Sequence, residues 1–249
     1  MPVKIYPESV QVKGGFNGGE IVENKPIQVT DDTTKLQPYS NLFYWAHAKA
    51  NVTSTIGLHP HQAFEIMSFV LKGTIEHYDT KNKTWLPLNA GDVQIIRAGS
   101  GISHAEKMNE GAQIFQIWFD PNVAKTFHIP ASYNDYTSKD FPVTTQDGLI
   151  IKTYKGDSAP IQMESPGVAI REITFEEGEH ILELDKQTIT SIYLLEGEIA
   201  LGEKTMLASD FIVVRDESSF NFNAKKTGKF FSITTPAKVP YGTYSERYN

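Results

Sequence analysis

The segment MSFVLKGTIEHYD, residues 67–79, resembles SIYLLEGEIALGE, residues 191–203, in the second half of the chain. Each copy has the pattern of a hydrophobic strand, a charged residue, a glycine and a second strand. A second pair follows in the same order, because AGDVQIIRAG at 90–99 resembles ASDFIVVRDE at 208–217. Similar units at two places in one chain predict two similar β-barrels in tandem.

The rest of the chain carries the same kind of pattern. Short runs of β-branched and aromatic residues recur and are separated by Gly, Asn, Asp and Pro, which is typical of all-β sandwiches and barrels. We expect only short helices, near 122–127 or 132–136. Because segment 120–148 is rich in turn residues, we predict an N-terminal barrel over residues 1–130 and a C-terminal barrel over residues 131–249.

Composition excludes several classes of function. The chain has 249 residues, a formal net charge of −7 and no cysteine, so disulfides, thiol nucleophiles and iron–sulfur clusters are excluded. An acidic surface argues against nucleic acid or an anionic membrane as the main partner. The first residues show no apolar signal segment, and no apolar run is long enough to cross a bilayer, so we expect a cytoplasmic protein.

Paired histidines are the strongest chemical signal. GLHPHQAFE at 57–65 contains His59, His61 and Glu65, and GISHAE at 101–106 contains His104 and Glu106. In a strand, residues of the same parity share a face, so each group can present its ligands to one side. A single H-x-H pair is more often a surface or core feature. Two such groups around a strand–Gly–strand unit favour a first-row divalent metal.

The stretch HPHQAFEIMSFVLKGTIEHYD, followed by AGDVQIIRAGSGISHAE, resembles the pirin family of the cupin superfamily over roughly residues 40–120. The resemblance implies two tandem cupin barrels of the jelly-roll type. It also implies a mononuclear site for one divalent metal ion. We expect Fe(II), with Cu, Mn, Ni and Zn as alternatives. The implied metal ligands are His59, His61, His104 and Glu106. A more general cupin would take its carboxylate from Glu65 instead.

The same resemblance implies a function. We expect a flavonol dioxygenase of the quercetin type, with a small aromatic substrate, O2, and Glu106 or Glu65 as the catalytic residue that accepts the substrate proton. The alternative is a non-enzymatic, iron-dependent redox sensor that binds a protein partner. We expect a monomer.

The second repeat carries no imidazole at the positions that match the four metal ligands, which predicts one metal in the N-terminal barrel alone. The matching residues are Glu183, Asp185, Phe222 and Ala224.

Other residues receive weaker assignments. We expect positive φ angles at Gly99 and Gly101, which both precede the third histidine in sequence. We expect Phe64, Ile95 and Phe115 either to form an apolar pocket or to pack in the core. Gln94 and Gln116 are candidates for the pocket wall by location alone. Histidines without a partner pattern, which we interpret as structural or surface residues, are His47, His128 and His180. His77 lies in the I-E-H part of the pirin-like stretch, and we interpret it as a structural histidine or one that supports the metal ligands.

Overall fold

A computed structural model describes residues 2–244 and 246, and most of them lie in β-strands. The strands of the first half are β1 (Val3–Tyr6), β2 (Val12–Phe16), β3 (Ile21–Ile27), β4 (Leu42–Ala50), β5 (Ser54–His61), β6 (Glu65–Lys72), β7 (Thr74–Asp79), β8 (Leu86–Asn89), β9 (Val93–Arg97), β10 (Ile102–Met108), β11 (Gln113–Phe119) and β12 (Ser132–Tyr136). Those of the second half are β13 (Val143–Gln146), β14 (Leu149–Lys155), β15 (Ala169–Phe175), β16 (Gly178–Glu183), β17 (Thr188–Leu201), β18 (Lys204–Leu207), β19 (Phe211–Arg215) and β20 (Ser219–Pro236). The predicted all-β class is confirmed.

Helices are short. One α-helical turn, α1, spans Val123–Thr126, and 3-10 turns span Glu8–Val10, Asn17–Gly19 and Ser138–Asp140. The helix expected near 122–127 is therefore confirmed. The one expected near 132–136 is wrong, because that segment forms β12 and pairs with β9, and this tertiary pairing decides the backbone conformation. No helix among the described residues is long and apolar enough to cross a membrane.

The chain divides into two compact units. The N-terminal barrel consists of residues 11–139 together with 163–165 and the described part of 240–246, and the C-terminal barrel consists of residues 2–10, 140–162 and 166–239. Segment 131–139, which the sequence analysis assigned to the C-terminal barrel, lies with the N-terminal barrel because β12 joins its sheet. The first strand, β1, pairs with β19 of the C-terminal barrel.

The N-terminal barrel is built from two sheets. A seven-stranded sheet has the order β12-β9-β6-β11-β4-β3-β2, and a four-stranded sheet has the order β5-β10-β7-β8. The interior is apolar at both ends of the strands. One cluster includes Val70, Ile75, Met108 and Ile114. The other includes Ile66, Ile96 and Ile102, with Trp118 packed against it.

The C-terminal barrel is one nine-stranded sheet with the path β1-β19-β17-β20-β15-β14-β13, to which β16 and β18 are added. Its interior is an apolar cluster that includes Phe175, Leu182, Ile192, Phe222 and Phe230. These large side chains fill the barrel, so its interior is a packed core.

The two copies of the repeat fold alike up to their glycines. Gly73, with φ of 74°, separates β6 from β7, whereas Gly197, with φ of 93°, lies inside the long strand β17. The register of β17 against β20 shifts on both sides of Gly197. The glycine of the repeat has a positive φ in both barrels. In the first barrel it separates two strands, whereas in the second the strand continues through it with local shifts of register.

Gly99 is a position where backbone geometry demands glycine. Its φ is 48° and that of Gly101 is 133°, so the predicted positive φ angles are confirmed. A Cβ atom at residue 99 would lie 2.2 Å from the carbonyl oxygen of Ile129. Gly99→Ala is therefore expected to lower the free energy of unfolding by about 2–4 kcal/mol in urea denaturation. Gly57→Ala is the control, since its Cβ would meet nothing within 4 Å; equal stability of both variants would contradict the prediction.

Candidate metal centre

A polar layer crosses the interior of the N-terminal barrel between its two apolar clusters. Along β10 the inward positions are Ile102, His104, Glu106 and Met108, so two polar residues lie between two apolar ones. The inward positions of β6, β7 and β11 follow the same plan. Their buried polar residues are Ser68, His77, Asp79 and Gln116. Buried polar side chains at one level of a hydrophobic barrel form a site that needs partners.

A β-bulge in β5 turns two more histidines toward this layer. His104 pairs with His59, whereas Glu106 pairs with Ile56, so three residues of β5 span two residues of β10. The burial pattern changes at the same place, because Ser54 and Ile56 are buried before the bulge and the alternate residues His59 and His61 are half-buried after it. A bulge shifts the side-chain alternation by one residue.

His59, His61 and His104 converge. One ring nitrogen from each lies within 4.8 Å of the others. The ring centroids of His59 and His104 are 4.4 Å apart, and His61 is 4.8 Å from each of them. Three imidazoles at this spacing could hold one metal ion.

The electrostatics keep two of these imidazoles neutral, which is the form that binds metal. Burial, together with the neighbouring rings of His104 and His59, lowers the pKa of His61 to about 3. Burial, together with His59 and His77, lowers the pKa of His104 to about 2. Each ring therefore has a nitrogen lone pair available near neutral pH.

The hydrogen bonds of the three histidines leave ring nitrogens available for a metal ion. His59 Nδ1 lies 2.8 Å from the carbonyl oxygen of Gly57, which fixes Nδ1 as the donor and leaves Nε2 with its lone pair. Among the described residues, the buried Nε2 atoms of His61 and His104 have no hydrogen-bond partner. Buried nitrogen atoms of this kind fit a divalent cation.

Glu106 is a buried carboxylate beside His104. Its Oε1 accepts hydrogen bonds from Ser68 Oγ at 3.1 Å and from Gln116 Nε2 at 2.7 Å, and lies 3.9 Å from His104 Nδ1. Its Oε2 is buried and has no hydrogen-bond partner among the described residues. Burial raises the pKa of Glu106, while the nearby His77 and His59 and the two hydrogen bonds lower it.

Glu65 serves a different network. It lies on the face of β6 opposite to Ser68, and its carboxylate accepts hydrogen bonds from the backbone N–H groups of Glu164 at 2.6 Å and Ser165 at 2.9 Å. The Ser165 hydroxyl adds a third hydrogen bond at 2.6 Å. Parity along the sequence does not transfer from His61 to Glu65, because β5 and β6 belong to different sheets. Glu65 therefore anchors segment 163–165 instead of joining the histidines.

The remaining sequence candidates separate into two groups. Phe64 stacks on Phe43, with ring centroids 4.8 Å apart. Ile95 and Phe115 are buried on the opposite face of their strands, since they alternate with the inward residues. Of the two alternatives expected for these residues, core packing is the one that their burial supports.

The polar candidates have different hydrogen-bond partners. Gln94 donates a hydrogen bond to Asp135, and Gln116 donates one to Glu106. His77 is buried, and its ring lies 5.5 Å from that of His104. Burial lowers its pKa. His47 contacts Gln113, His128 is exposed and His180 bonds the carbonyl of Glu176.

Trp118 is a site residue that the sequence analysis missed. Its ring lies edge-on to His61 with centroids 4.9 Å apart, and its Nε1 donates to Gln116 Oε1 at 3.3 Å. Ser68 and Asp79 were missed as well. The available signal was the alternation along each strand, in which a polar residue stands two positions from an inward apolar residue.

Among the residues that the structure describes, His59, His61 and His104 are the one cluster of side chains that could hold a metal ion. The described part of the C-terminal barrel has no such cluster. Glu183 and Asp185 are exposed, and Phe222 and Ala224 belong to the apolar core. Aromatic packing thus takes the space that the polar layer takes in the N-terminal barrel.

Comparison with known proteins agrees with this geometry. The Pirin family model matches residues 22–119. The chain is 37% identical to a pirin-like protein of Caulobacter vibrioides over 114 residues, which are 43% of this chain and 46% of that protein. It is 24% identical to the quercetin 2,3-dioxygenase of Escherichia coli K12 over 184 residues, which are 72% of this chain and 76% of that protein.

The fold is shared with a pirin of known structure. The crystal structure of bacterial pirin YhhW from Escherichia coli, in complex with nickel(II), superposes with a TM-score of 0.77 at 18% identity. The match covers 95% of this chain and 100% of that one. Residues 22–119 of this chain therefore form a pirin domain, within a fold that is shared with a bacterial pirin.

Proposed function

We propose that this protein is a metal-dependent dioxygenase of flavonols of the quercetin type. The observation that carries the proposal is the convergence of three imidazoles within 4.8 Å in a barrel interior. The similarity to an Escherichia coli quercetin 2,3-dioxygenase over 72% of the chain supports the choice of substrate class.

The residues that would hold the metal are His59, His61, His104 and Glu106. The first three would contribute ring nitrogens, and Glu106 would contribute Oε2, because its Oε1 is engaged by Ser68 and Gln116. A divalent metal held in this way supplies Lewis-acid chemistry and keeps positions open for small ligands. We propose Fe(II) as the native metal.

The chain's own residues would orient the reactants and exclude water. The apolar cluster of Ile66, Ile96 and Ile102 adjoins the polar layer on one side and excludes water from it. Glu106 is the candidate acceptor for the hydroxyl proton of the substrate, because it is the carboxylate beside the histidines. Glu65 is not proposed for this role, because its carboxylate accepts three hydrogen bonds from segment 163–165.

Oxygen uptake by Fe(II)-loaded protein with quercetin tests the proposed activity. We expect uptake well above that of the same concentration of free iron, and a loss of at least about 100-fold in His104→Ala, because a ligand is removed. His128→Ala, a change of an exposed histidine outside the centre, is the matched control. Uptake no faster than free iron with several flavonols would overturn the proposal and favour the regulatory alternative.

A further inference from the structure

The aromatic and amide groups on β11 connect two parts of the candidate centre. Trp118 contacts His61 by its ring and Gln116 by its Nε1, and Gln116 contacts Glu106. Gln116 and Trp118 are two positions apart on one strand, so both face the interior. One strand therefore contacts a proposed imidazole ligand and the proposed carboxylate ligand at the same time.

The directions of these hydrogen bonds define which oxygen of Glu106 is engaged and which is free. Trp118 Nε1–H occupies Gln116 Oε1, which leaves the amide Nε2–H2 to face Glu106 Oε1 at 2.7 Å. Ser68 donates to the same Oε1. A charge-assisted hydrogen bond to one oxygen of a carboxylate fixes its rotation and directs the other oxygen elsewhere. The free oxygen is Oε2.

Trp118 is itself held in place. Tyr44 packs against it with ring centroids 4.6 Å apart, and Phe43 stacks on it at 6.3 Å. The Tyr44 hydroxyl donates to Glu23, so this neighbour is anchored as well. An indole confined in this way can restrict the ring of His61 and the amide of Gln116.

We propose that Trp118 and Gln116 are positioning residues of the metal centre, which orient His61 and restrict Glu106 to ligation through Oε2. The inference rests on the proposed function only in that it needs a metal at this site; it needs no dioxygenase activity. Groups that orient metal ligands are typically worth 10- to 100-fold in metal affinity.

The test measures Ni2+ affinity by competition with a chromophoric chelator. Gln116→Leu removes the donor to Glu106 and is expected to weaken binding by about 10- to 100-fold. Trp118→Phe keeps a ring beside His61 but leaves Gln116 Oε1 without its donor, and is expected to weaken binding by about 3- to 10-fold. Because Trp118 acts on Glu106 through Gln116, the double variant should lose little more than Gln116→Leu alone.

Matched controls exist for both changes. Gln113→Leu alters a glutamine on the same strand that contacts His47, and Trp85→Phe alters an exposed tryptophan that packs on Tyr78. Both controls should keep the wild-type affinity. Bound Ni2+ should also quench tryptophan fluorescence in the wild type and in Trp85→Phe, and quench it much less in Trp118→Phe.

The possible failures differ from one another. If the wild type binds Ni2+ and both Gln116→Leu and Trp118→Phe bind it within about twofold of the wild type, the positioning role is overturned and the metal site stands. If the wild type binds no Ni2+, the metal site and this inference fail together. If the Ni2+ affinities of the wild type and the variants are as expected but the protein takes up no oxygen with flavonols, the positioning role is supported and only the dioxygenase proposal fails.

Discussion

Replacing His104 by alanine is expected to reduce the metal content of purified protein from about one equivalent per chain to below about 0.1. His104 is fully buried, and its ring contacts those of His59, His61 and His77. Removal leaves two half-buried imidazoles on β5 and no nitrogen ligand from β10. Elemental analysis of protein purified without a metal-affinity tag measures the effect.

His128→Ala is the control for this experiment. His128 is exposed and packs on Phe127, so its loss should leave the metal content unchanged. Metal content that is equal in the wild type and in His104→Ala would place any bound ion elsewhere. Thermal unfolding of the metal-free variants checks that His104→Ala still folds.

Glu106→Gln and Glu65→Gln make the same chemical change at two buried carboxylates, and opposite results are expected. Glu106→Gln can keep an acceptor for Ser68 and Gln116 but puts an amide NH2 where Oε2 stood, so metal affinity should fall by at least about 100-fold. Glu65→Gln should leave metal affinity unchanged. Its amide group must face N–H donors of segment 163–165, so it should lower the free energy of unfolding by about 1–3 kcal/mol.

Ni2+ titration and urea denaturation of both variants check this pair of outcomes. Each variant is the control of the other, since both replace a buried carboxyl group by an amide. Loss of metal in Glu65→Gln with normal binding in Glu106→Gln would reverse the assignment of the carboxylate ligand.

Much of the fold follows from local sequence patterns. Alternating strands, turn residues and the repeat around Gly73 and Gly197 predict an all-β chain with two similar barrels. The positive φ of Gly99 follows from its place in a tight turn. The strand Ser132–Tyr136 does not follow, because its pairing with β9 is a long-range contact that its own composition does not encode.

The candidate site follows from the sequence in part. The H-x-H and H-x-E spacings predict that His59 and His61, and His104 and Glu106, pair on their own strands. The sequence does not reveal the bulge between Ile56 and His59, which brings the two pairs to one place. It also leaves Glu65 undecided, because facing directions cannot be compared between strands of different sheets.

The supporting residues of the site were the hardest to foresee. The sequence indicates Gln116 by its location alone and does not indicate Trp118, because their hydrogen bond depends on side-chain directions that the sequence does not show. Phe115, next to Gln116 in sequence, faces the other side of the sheet and packs against Trp45. Strand alternation separates these neighbours only once the register of the sheet is known.

Anomalous diffraction from crystals of the protein grown with Ni2+ locates the bound metal directly. We expect one strong peak in the N-terminal barrel, about 2 Å from a ring nitrogen of each of His59, His61 and His104 and from Oε2 of Glu106. A strongest peak at another place, such as beside Glu183 and Asp185, would contradict this expectation, as would the absence of any peak in the barrel at full Ni2+ occupancy in solution.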